Sequence, residues 1–248
     1  MSRAQIFSAQ EIESLRKGGK ILRDCLAMVA AVTCPGMTTK QIDLLAETFI
    51  RDHGGEPGFK GYHGFTGTLC ISVNEECVHG IPGPRVLQEG DIVSLDGGVL
   101  LDGLNTDACV TVALGPVPAN AQHLLKVTSE ALDRGVSAVR AGGKVGDISA
   151  AVQEHVEGNG CFILHALTGH GLGKTLHQFP DVPNHGKAGT GPTLPLHTII
   201  AIEPIVSLGC EEIRETADGW TIVTKDGSLS AHFEHTVLVT EGGCEILA

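Results

Sequence analysis

Residues 90–110 read GDIVSLDGGVLLDGLNTDACV, and this stretch predicts two apolar strands joined by a tight turn at 102–103. The Asp-Gly pair of the turn readily adopts the positive φ angles of a two-residue hairpin loop. With that loop, Gly98 faces Asp107, and Asp96 is the diagonal neighbour of Asp107 on the same face. Because diagonal partners lie about 7–8 Å apart, both carboxylates can lean toward one shared ion.

Two carboxylates on one buried face repel each other and lose hydration, so they require a counter-charge. The hairpin contains no Lys or Arg. A metal ion is therefore the expected partner of Asp96 and Asp107. The register has one alternative, because the pair Gly97-Gly98 can host a β-bulge that shifts Asp96 by one residue.

The composition indicates an α/β or α+β protein with a large core, since 42% of the 248 residues are hydrophobic and 33 are glycine. A net charge of −12 without a Lys or Arg cluster argues against a nucleic-acid surface or an anionic membrane surface. No apolar run approaches the roughly 20 residues that span a bilayer, and the N-terminus lacks a signal-peptide pattern. Eight scattered cysteines without a Cys-x-x-Cys pair predict reduced thiols and a cytoplasmic location.

Two capping boxes predict the first two helices. The box at 8–11 opens a helix that continues to about Val32, and the box at 38–41 opens a second helix that ends at the glycine pair 54–55. The second helix is expected to bury one apolar face. That face consists of Ile42, Leu44, Leu45 and Phe49.

Later in the chain, one helix is expected to follow residues 118–120 and to continue through Val136, and Asp147 is expected to cap another. Apolar runs predict strands at residues 69–73, 162–167, 198–206, 220–224 and 232–239.

The order of elements repeats. Gly36 and Gly142 each stand six residues before an isoleucine in a predicted helix, an offset of 106. A shift of 107 aligns DIVSLD at 91–96 with TIIAIE at 198–203, each an apolar strand that ends in a carboxylate. Two matches at nearly the same offset indicate two related halves. Because no Pro/Gly/Ser-rich linker separates the halves, we expect a single domain over residues 1–248.

Two glutamates and three histidines are further candidates for site residues because of their sequence surroundings. Glu203 closes an apolar strand, a position that a carboxylate rarely takes unless it is liganded. Glu234 lies in an alternating run, where the exposed face of an edge strand is the alternative. His170 and His177 lie seven residues apart in a glycine-rich turn, which allows close approach to a ligand. His79 lies in another Gly/Pro turn, where a solvated histidine is the commoner case.

The remaining histidines are expected to be solvated, with His63 and His235 the least secure because each adjoins a candidate site residue. They are His53, His63, His123, His155, His165, His185, His197, His232 and His235.

Two Asp, one His and two Glu are enough to hold two divalent ions about 3.5–4 Å apart. The Gly-His-Gly-Leu-Gly run lacks the Gly-Lys-Ser/Thr of a phosphate loop, and no Gly-x-Ser-x-Gly nucleophile elbow occurs. The pattern therefore favours metal-assisted hydrolysis.

In the order of these candidate ligands, the chain resembles type I methionine aminopeptidases, metallopeptidases with the pita-bread fold. The supporting motifs are weak singly and specific in their order and spacing. They read CISVNE at 70–75, HGIP at 79–82, GDIV at 90–93, GHG at 169–171, IEP at 202–204, SLSA at 228–231 and EHT at 234–236. The resemblance implies an α+β fold of two pseudo-symmetric halves, with helices and antiparallel strands around a central dinuclear metal site.

The resemblance also implies roles for the candidate ligands around two divalent metal ions, which are Co, Mn, Fe or Zn. Asp96 chelates one metal, and Asp107 and Glu234 bridge both. His170 and Glu203 complete the second site. A hydroxide that bridges the metals attacks the carbonyl of the N-terminal residue, with Glu203 as the proton shuttle.

Two further histidines contact the substrate by the same resemblance. His79 meets the scissile amide nitrogen, and His177 meets the carbonyl or tetrahedral oxygen, where charge develops in the transition state. The implied methionine pocket has apolar, polarizable walls that suit a thioether, and ordinary core packing is the alternative for its residues. They are Phe59, Tyr62, Phe65, Cys70, Leu176 and Trp220.

The sequence departs from the family pattern near this pocket. Leu176 stands where the family usually carries an aromatic residue, and Gln178-Phe179 replaces a typically acidic pair. Gly97-Gly98 follows Asp96 where bulkier residues are usual. None of these changes removes a ligand, so hydrolysis is expected to survive, while strictness for methionine is left open.

The implied function is removal of the initiator methionine from peptides and nascent proteins, preferably before a small second residue. A monomer in the cytoplasm is expected, with ribosome association as a further possibility. One alternative is a related pita-bread peptidase that acts on other N-terminal residues or on X-Pro bonds. The other is a non-catalytic pita-bread binding protein, a lineage that has lost the metal ligands.

Overall fold

The computed structural model describes residues 3–248. Along them, two helices are followed by a run of antiparallel strands, and this order occurs twice. The helices are α1 (Ala9–Val32), α2 (Thr39–Asp52), α3 (Ala119–Ser137) and α4 (Val145–Gly158). The first eight strands are β1 (Glu56–Pro57), β2 (Leu69–Val73), β3 (Glu76–Val78), β4 (Ile92–Leu101), β5 (Leu104–Ala113), β6 (Phe162–Ile163), β7 (Thr168–Gly171) and β8 (Gln178–Pro183). The others are β9 (Ile199–Ile202), β10 (Ile205–Ser207), β11 (Ile213–Glu215), β12 (Ile222–Thr224), β13 (Ser230–His232), β14 (Glu234–Thr240) and β15 (Gly243–Ile246).

The strands form one large sheet and two small ones. The large sheet has nine strands in the order β1-β4-β5-β14-β9-β7-β8, with β2 paired to β4 and β15 paired to β14. The small sheets have the orders β13-β10-β6 and β11-β12-β3. The pairings are antiparallel, so the predicted α+β class is confirmed.

The central hairpin forms in the predicted register. Gly98 of β4 pairs with Asp107 of β5 in an uninterrupted ladder from Ile92 to Leu101. The turn residues Asp102 and Gly103 have φ angles of 52° and 76°. The bulge alternative is therefore wrong, and Asp96 keeps its diagonal relation to Asp107.

The two capping boxes are confirmed. At the start of α1, the Glu11 carboxylate accepts the Ser8 N–H at 2.8 Å while the Ser8 hydroxyl accepts the Glu11 N–H at 3.3 Å. Thr38 and Gln41 repeat this exchange at α2. None of the helices within the described residues is both long enough and apolar enough to cross a membrane.

The predicted cap of α4 is wrong in position. The helix begins at Val145, so Asp147 is its third residue, and the Asp147 carboxylate accepts the backbone N–H of Lys144 at 3.0 Å. Asp147 thus satisfies a free N–H at the helix start from inside the first turn.

The predicted apolar face of α2 is only partly correct. Leu44 and Leu45 are exposed, and Ile42 instead shares the buried side with Asp43. The Asp43 carboxylate accepts the N–H groups of residues 68 and 69 at 2.7 and 2.8 Å. The helix is therefore rotated so that Asp43 anchors the start of β2.

The predicted duplication is visible in the backbone hydrogen bonds. The Gly36 N–H donates to the Leu87 carbonyl at 2.9 Å, and the Gly142 N–H donates to the Leu194 carbonyl at 2.8 Å. The return bonds also correspond, because Leu87 donates to residue 37 and Leu194 donates to residue 143, each at 2.9 Å. Helices α2 and α4 are each 14 residues long and begin 106 positions apart.

Packing of the first half decides which way the hairpin acids point. Leu95 and Val99 of β4 share one buried cluster with Leu22 of α1 and Ile42 of α2. Because side chains alternate along a strand, Asp96 points to the opposite face of the sheet. The helices therefore cover one face, and the carboxylates lie on the other.

Candidate active site

One row of residues crosses four neighbouring strands of the large sheet. Cys70 of β2 pairs with Asp96 of β4, which pairs with Cys109 of β5. Cys109 in turn pairs with Glu234 of β14. Asp107 lies two residues from Cys109 on β5 and therefore on the same face. This row places three of the predicted ligands on one surface of the sheet.

The second half of the chain adds the other two predicted ligands, Glu203 directly after β9 and His170 of β7. The His170 Nε2 atom lies 3.4 Å from Glu203 Oε1 and 3.9 Å from Asp107 Oδ2. One ligand atom each of Asp107, His170 and Glu234 lies within 4.8 Å of the other two. The structure thus brings together side chains from both halves.

Among residues 3–248, the four buried carboxylates have no Lys or Arg partner. Asp96, Asp107 and Glu234 each have one oxygen without a hydrogen-bond partner, and within residues 3–248 the ion-pairing neighbours of the cluster are histidines. Burial raises the pKa of Asp96 to about 8. Burial, together with repulsion from the neighbouring acids, also raises the pKa of the others well above the usual carboxyl range. Such a cluster strongly favours a bound cation.

His170 is oriented as a metal-binding imidazole. Its Nδ1 atom lies 3.0 Å from the Gly171 carbonyl oxygen. Because a carbonyl only accepts, Nδ1 carries the proton and Nε2 keeps a lone pair facing Glu203 and Asp107. Burial lowers the pKa of His170 to about 3, so the ring is neutral. The unpaired oxygens and this free nitrogen fit a divalent ion of the Mn, Fe, Co or Zn type.

A cavity of about 510 Å³ opens beside these ligands. Asp96, His170, Glu203 and Glu234 line one part of it. All six residues of the predicted methionine pocket line it as well, and they form one apolar cluster. They are Phe59, Tyr62, Phe65, Cys70, Leu176 and Trp220. Apolar side chains and carboxylates therefore line the same cavity.

The glycine pair after Asp96 has a steric reason. A Cβ atom on Gly98 would lie 2.9 Å from Cε1 of Phe59, and a Cβ on Gly97 would collide with the Leu69 side chain. Glycine at 98 lets the Phe59 ring lie directly on β4. This departure from the family pattern thus helps to shape the wall of the cavity.

The two predicted substrate-contacting histidines also line the cavity. The His177 Nδ1 atom lies 3.0 Å from the Tyr62 hydroxyl, and the His177 and His170 rings meet edge to face at 4.2 Å. His79 has a φ of 60° and lies edge-on to Trp220 at 6.3 Å. Burial lowers the pKa of both His79 and His177, which favours the neutral form of each ring.

The structure adds one histidine that the sequence interpretation missed. His232 is 2% exposed and lines the cavity beside Glu203 and Glu234, so the expectation that it is solvated is wrong. A histidine two residues before a candidate ligand is the signal that could have identified it. His63 also lines the cavity, whereas His235 donates from Nδ1 to the Ala248 carbonyl at 2.8 Å.

Comparisons with known proteins agree with this geometry. The model of metallopeptidase family M24 matches residues 13–241. The chain is similar to a methionine aminopeptidase of Clostridium perfringens, with 44% identity over 237 residues that cover 96% of this chain and 95% of the relative. A crystal structure of a methionine aminopeptidase from Thermotoga maritima superposes with a TM-score of 0.97 at 42% identity, covering 99% of both chains.

A more distant likeness concerns the fold alone. A prolidase from Pyrococcus furiosus has a TM-score of 0.80 at 21% identity. The match covers 98% of this chain but 64% of the prolidase. These neighbours bear out the predicted pita-bread architecture.

Proposed function

The chain belongs to metallopeptidase family M24, and we propose that it acts as a metal-dependent aminopeptidase that removes the N-terminal methionine from peptides and nascent proteins. Substrates with a small second residue are preferred. The observation that carries this proposal is a cavity lined both by buried carboxylates with unpaired oxygens and by apolar and aromatic side chains. Such a cavity receives an apolar side chain next to hydrolytic groups.

The proposed metal-binding set holds two divalent ions. Asp96 would hold one ion, Asp107 and Glu234 would contribute ligands to both, and His170 and Glu203 would complete the second. When bound, such ions supply Lewis acidity toward the scissile carbonyl and lower the pKa of water. Unpaired buried oxygens and the free His170 Nε2 support this assignment.

Glu203 moves the proton in this proposal. Its carboxylate lines the cavity, and burial near other acids raises its pKa, so it accepts a proton readily. It takes the proton from the attacking water and delivers it to the leaving amide nitrogen. His79 contacts that nitrogen and keeps the leaving group in place.

His177 stabilises the oxyanion. The Tyr62 hydroxyl lies 3.0 Å from Nδ1. In the proposed mechanism it donates to that nitrogen, which leaves Nε2–H as the donor that faces the substrate. A donor held in this way stabilises the negative charge that develops on the carbonyl oxygen. The methionine side chain occupies the pocket, where Phe59, Leu176 and Trp220 contact its thioether.

The cellular setting is part of the proposal. We place the enzyme in the cytoplasm as a single-domain monomer, with nascent chains at the ribosome among its substrates. Eight free cysteines, several of them buried, support a reducing compartment.

Hydrolysis of Met-Ala-Ser by the metal-free protein, reconstituted in turn with Co, Mn, Fe and Zn, tests this function. The expected result is metal-dependent release of methionine, with Leu-Ala-Ser and Ala-Pro peptides cleaved at least tenfold more slowly. Faster cleavage of the Ala-Pro peptide would instead establish an X-Pro peptidase. Absence of any bound metal together with no cleavage would revive the non-catalytic alternative.

A further inference from the structure

His232 carries a buried imidazole that makes no hydrogen bond to any of residues 3–248. It ends β13, and its Nε2 atom lies 3.9 Å from Glu203 Oε2 and 3.8 Å from Glu234 Oε2. Both distances exceed a hydrogen bond. Neither ring nitrogen is hydrogen-bonded, although the residue is 2% exposed. A buried polar group in this state requires a partner that the protein itself does not supply.

The backbone at His232 is firmly held, so the ring is presented in a fixed place. The Thr111 hydroxyl accepts the His232 N–H at 3.0 Å and donates to the His232 carbonyl at 2.6 Å. The Ser94 hydroxyl lies 2.8 Å from the same Thr111 oxygen and donates to it, since the Thr111 proton is already used. These hydroxyl contacts fix the backbone of His232, as is expected for a residue that binds a ligand.

Strand pairing relates His232 to one of the proposed metal ligands. Cys109 of β5 pairs with Glu234 of β14. A local two-fold axis through this antiparallel pair relates the residues two before and two after Cys109 to the residues two before and two after Glu234. Thr111 then corresponds to Thr236, and Asp107 corresponds to His232. Thr236 holds the backbone of Asp107 by the same two contacts that Thr111 makes to His232.

We propose that His232 is a sixth side chain of the metal-binding set and supplies a second imidazole nitrogen beside Glu203 and Glu234. This inference rests on the metal site of the proposed function. A second imidazole changes the preference of the site, because imidazole suits Zn, Co and Fe, whereas Mn is better matched by carboxylates and water. The chain therefore binds Co(II) more tightly, relative to Mn(II), than a site with one histidine.

Calorimetric titration of the metal-free protein with Co(II) and with Mn(II) tests this proposal. His232→Gln is expected to weaken Co(II) binding by about tenfold or more, with a smaller effect on Mn(II), and to shift the visible absorption of the Co(II)-loaded protein. Asp107→Asn is the positive control, and His53→Gln, at the exposed end of α2, is the negative control.

The outcomes distinguish a failure of the His232 proposal from a failure of the proposed metal site. Unchanged Co(II) affinity and spectrum in His232→Gln, with loss of binding in Asp107→Asn, would overturn the role of His232 alone. Unchanged binding in both variants would overturn the metal site and the inference together. Proton NMR of the Co(II)-loaded wild-type protein needs no variant. Two hyperfine-shifted, exchangeable imidazole N–H signals support the proposal, and one signal contradicts it.

Discussion

Thr236 holds both backbone groups of Asp107, because its hydroxyl accepts the Asp107 N–H at 2.9 Å and donates to the Asp107 carbonyl at 2.6 Å. The two residues lie on β5 and β14, which come from different halves of the chain. The Thr236 hydroxyl is therefore a direct connection between the halves at the carboxylate cluster. It fixes the strand segment that carries Asp107.

Replacement of Thr236 by Val removes both contacts and leaves two buried backbone groups of Asp107 unpaired. We expect a loss of roughly 1–3 kcal/mol in the free energy of unfolding, measured by urea denaturation, with Thr236→Ser largely restoring it. Thr198→Val is the matched control, because the Thr198 hydroxyl is buried without a partner. An equal loss in both variants would show that the Thr236 hydroxyl has no special role.

Asp107→Asn is expected to separate stability from metal binding. The substitution removes a carboxyl group whose burial among other acids raises its pKa and destabilises the metal-free fold, so the melting temperature of the metal-free protein rises. The further rise that the wild-type protein shows on addition of Co(II) is lost in the variant. Differential scanning calorimetry with and without metal measures both effects. A metal-induced rise as large as that of the wild type would contradict the assignment of Asp107.

The metal-free protein is expected to lose stability as pH rises. The folded-state pKa of Asp96 is about 8 against an ordinary value of 3.8, so the folded protein retains a proton that the unfolded chain has lost. Raising the pH from 6.5 to about 8 therefore destabilises the fold, by roughly 1–2 kcal/mol. Below pH 6.5 the buried histidines, with lowered pKa, oppose this trend. Urea midpoints that do not fall over this range in chelator-treated protein would refute the prediction.

Gly98→Ala is expected to alter the pocket more than the fold. The new Cβ lies 2.9 Å from the Phe59 ring, so the ring must move into the cavity. We expect the KM for Met-Ala-Ser to rise about tenfold, with metal affinity unchanged, since 1–2 kcal/mol is a usual cost of such crowding. Gly103→Ala is an unsuitable control because of its positive φ, whereas Gly158→Ala meets nothing within 4 Å. A KM that is unchanged in Gly98→Ala would exclude Phe59 as a methionine contact.

His177→Ala is expected to lower kcat about 10²–10³-fold, the range found when one oxyanion donor is removed. Metal content should remain at the wild-type level, since His177 is outside the proposed ligand set. Tyr62→Phe, which removes the group that orients the ring, should lower kcat by a smaller factor. Mass spectrometry of the bound metal and initial rates with Met-Ala-Ser give both quantities. Loss of metal in His177→Ala would mean that its role is misassigned.

Local sequence signals predicted the parts of the fold that local chemistry controls. The capping boxes at Ser8 and Thr38 placed two helices, and the Asp-Gly turn set the register of the hairpin. The strand β8 was missed because two prolines fall within Gln178–Pro183, and such a segment is compatible with a strand mainly at a sheet edge, where β8 lies.

Tertiary contacts controlled what the sequence could not predict. Leu44 and Leu45 match a helical apolar face, yet the buried hydrogen bonds of Asp43 rotate α2 and leave both leucines in solvent. His232 was overlooked for a similar reason. Its proximity to Glu234 in the sequence was a local signal, but its burial depends on Thr111, which is 121 residues away in sequence.

The most direct test of this account is a metal titration of activity in wild-type protein and in Asp96→Ala. Metal-free protein receives Co(II) or Mn(II) in substoichiometric steps while release of methionine from Met-Ala-Ser is measured. We predict that the wild-type rate rises from near zero with added metal, and that Asp96→Ala stays at least 100-fold less active at limiting metal. Full activity of Asp96→Ala under those conditions, or of the metal-free wild-type protein, would contradict the central claim.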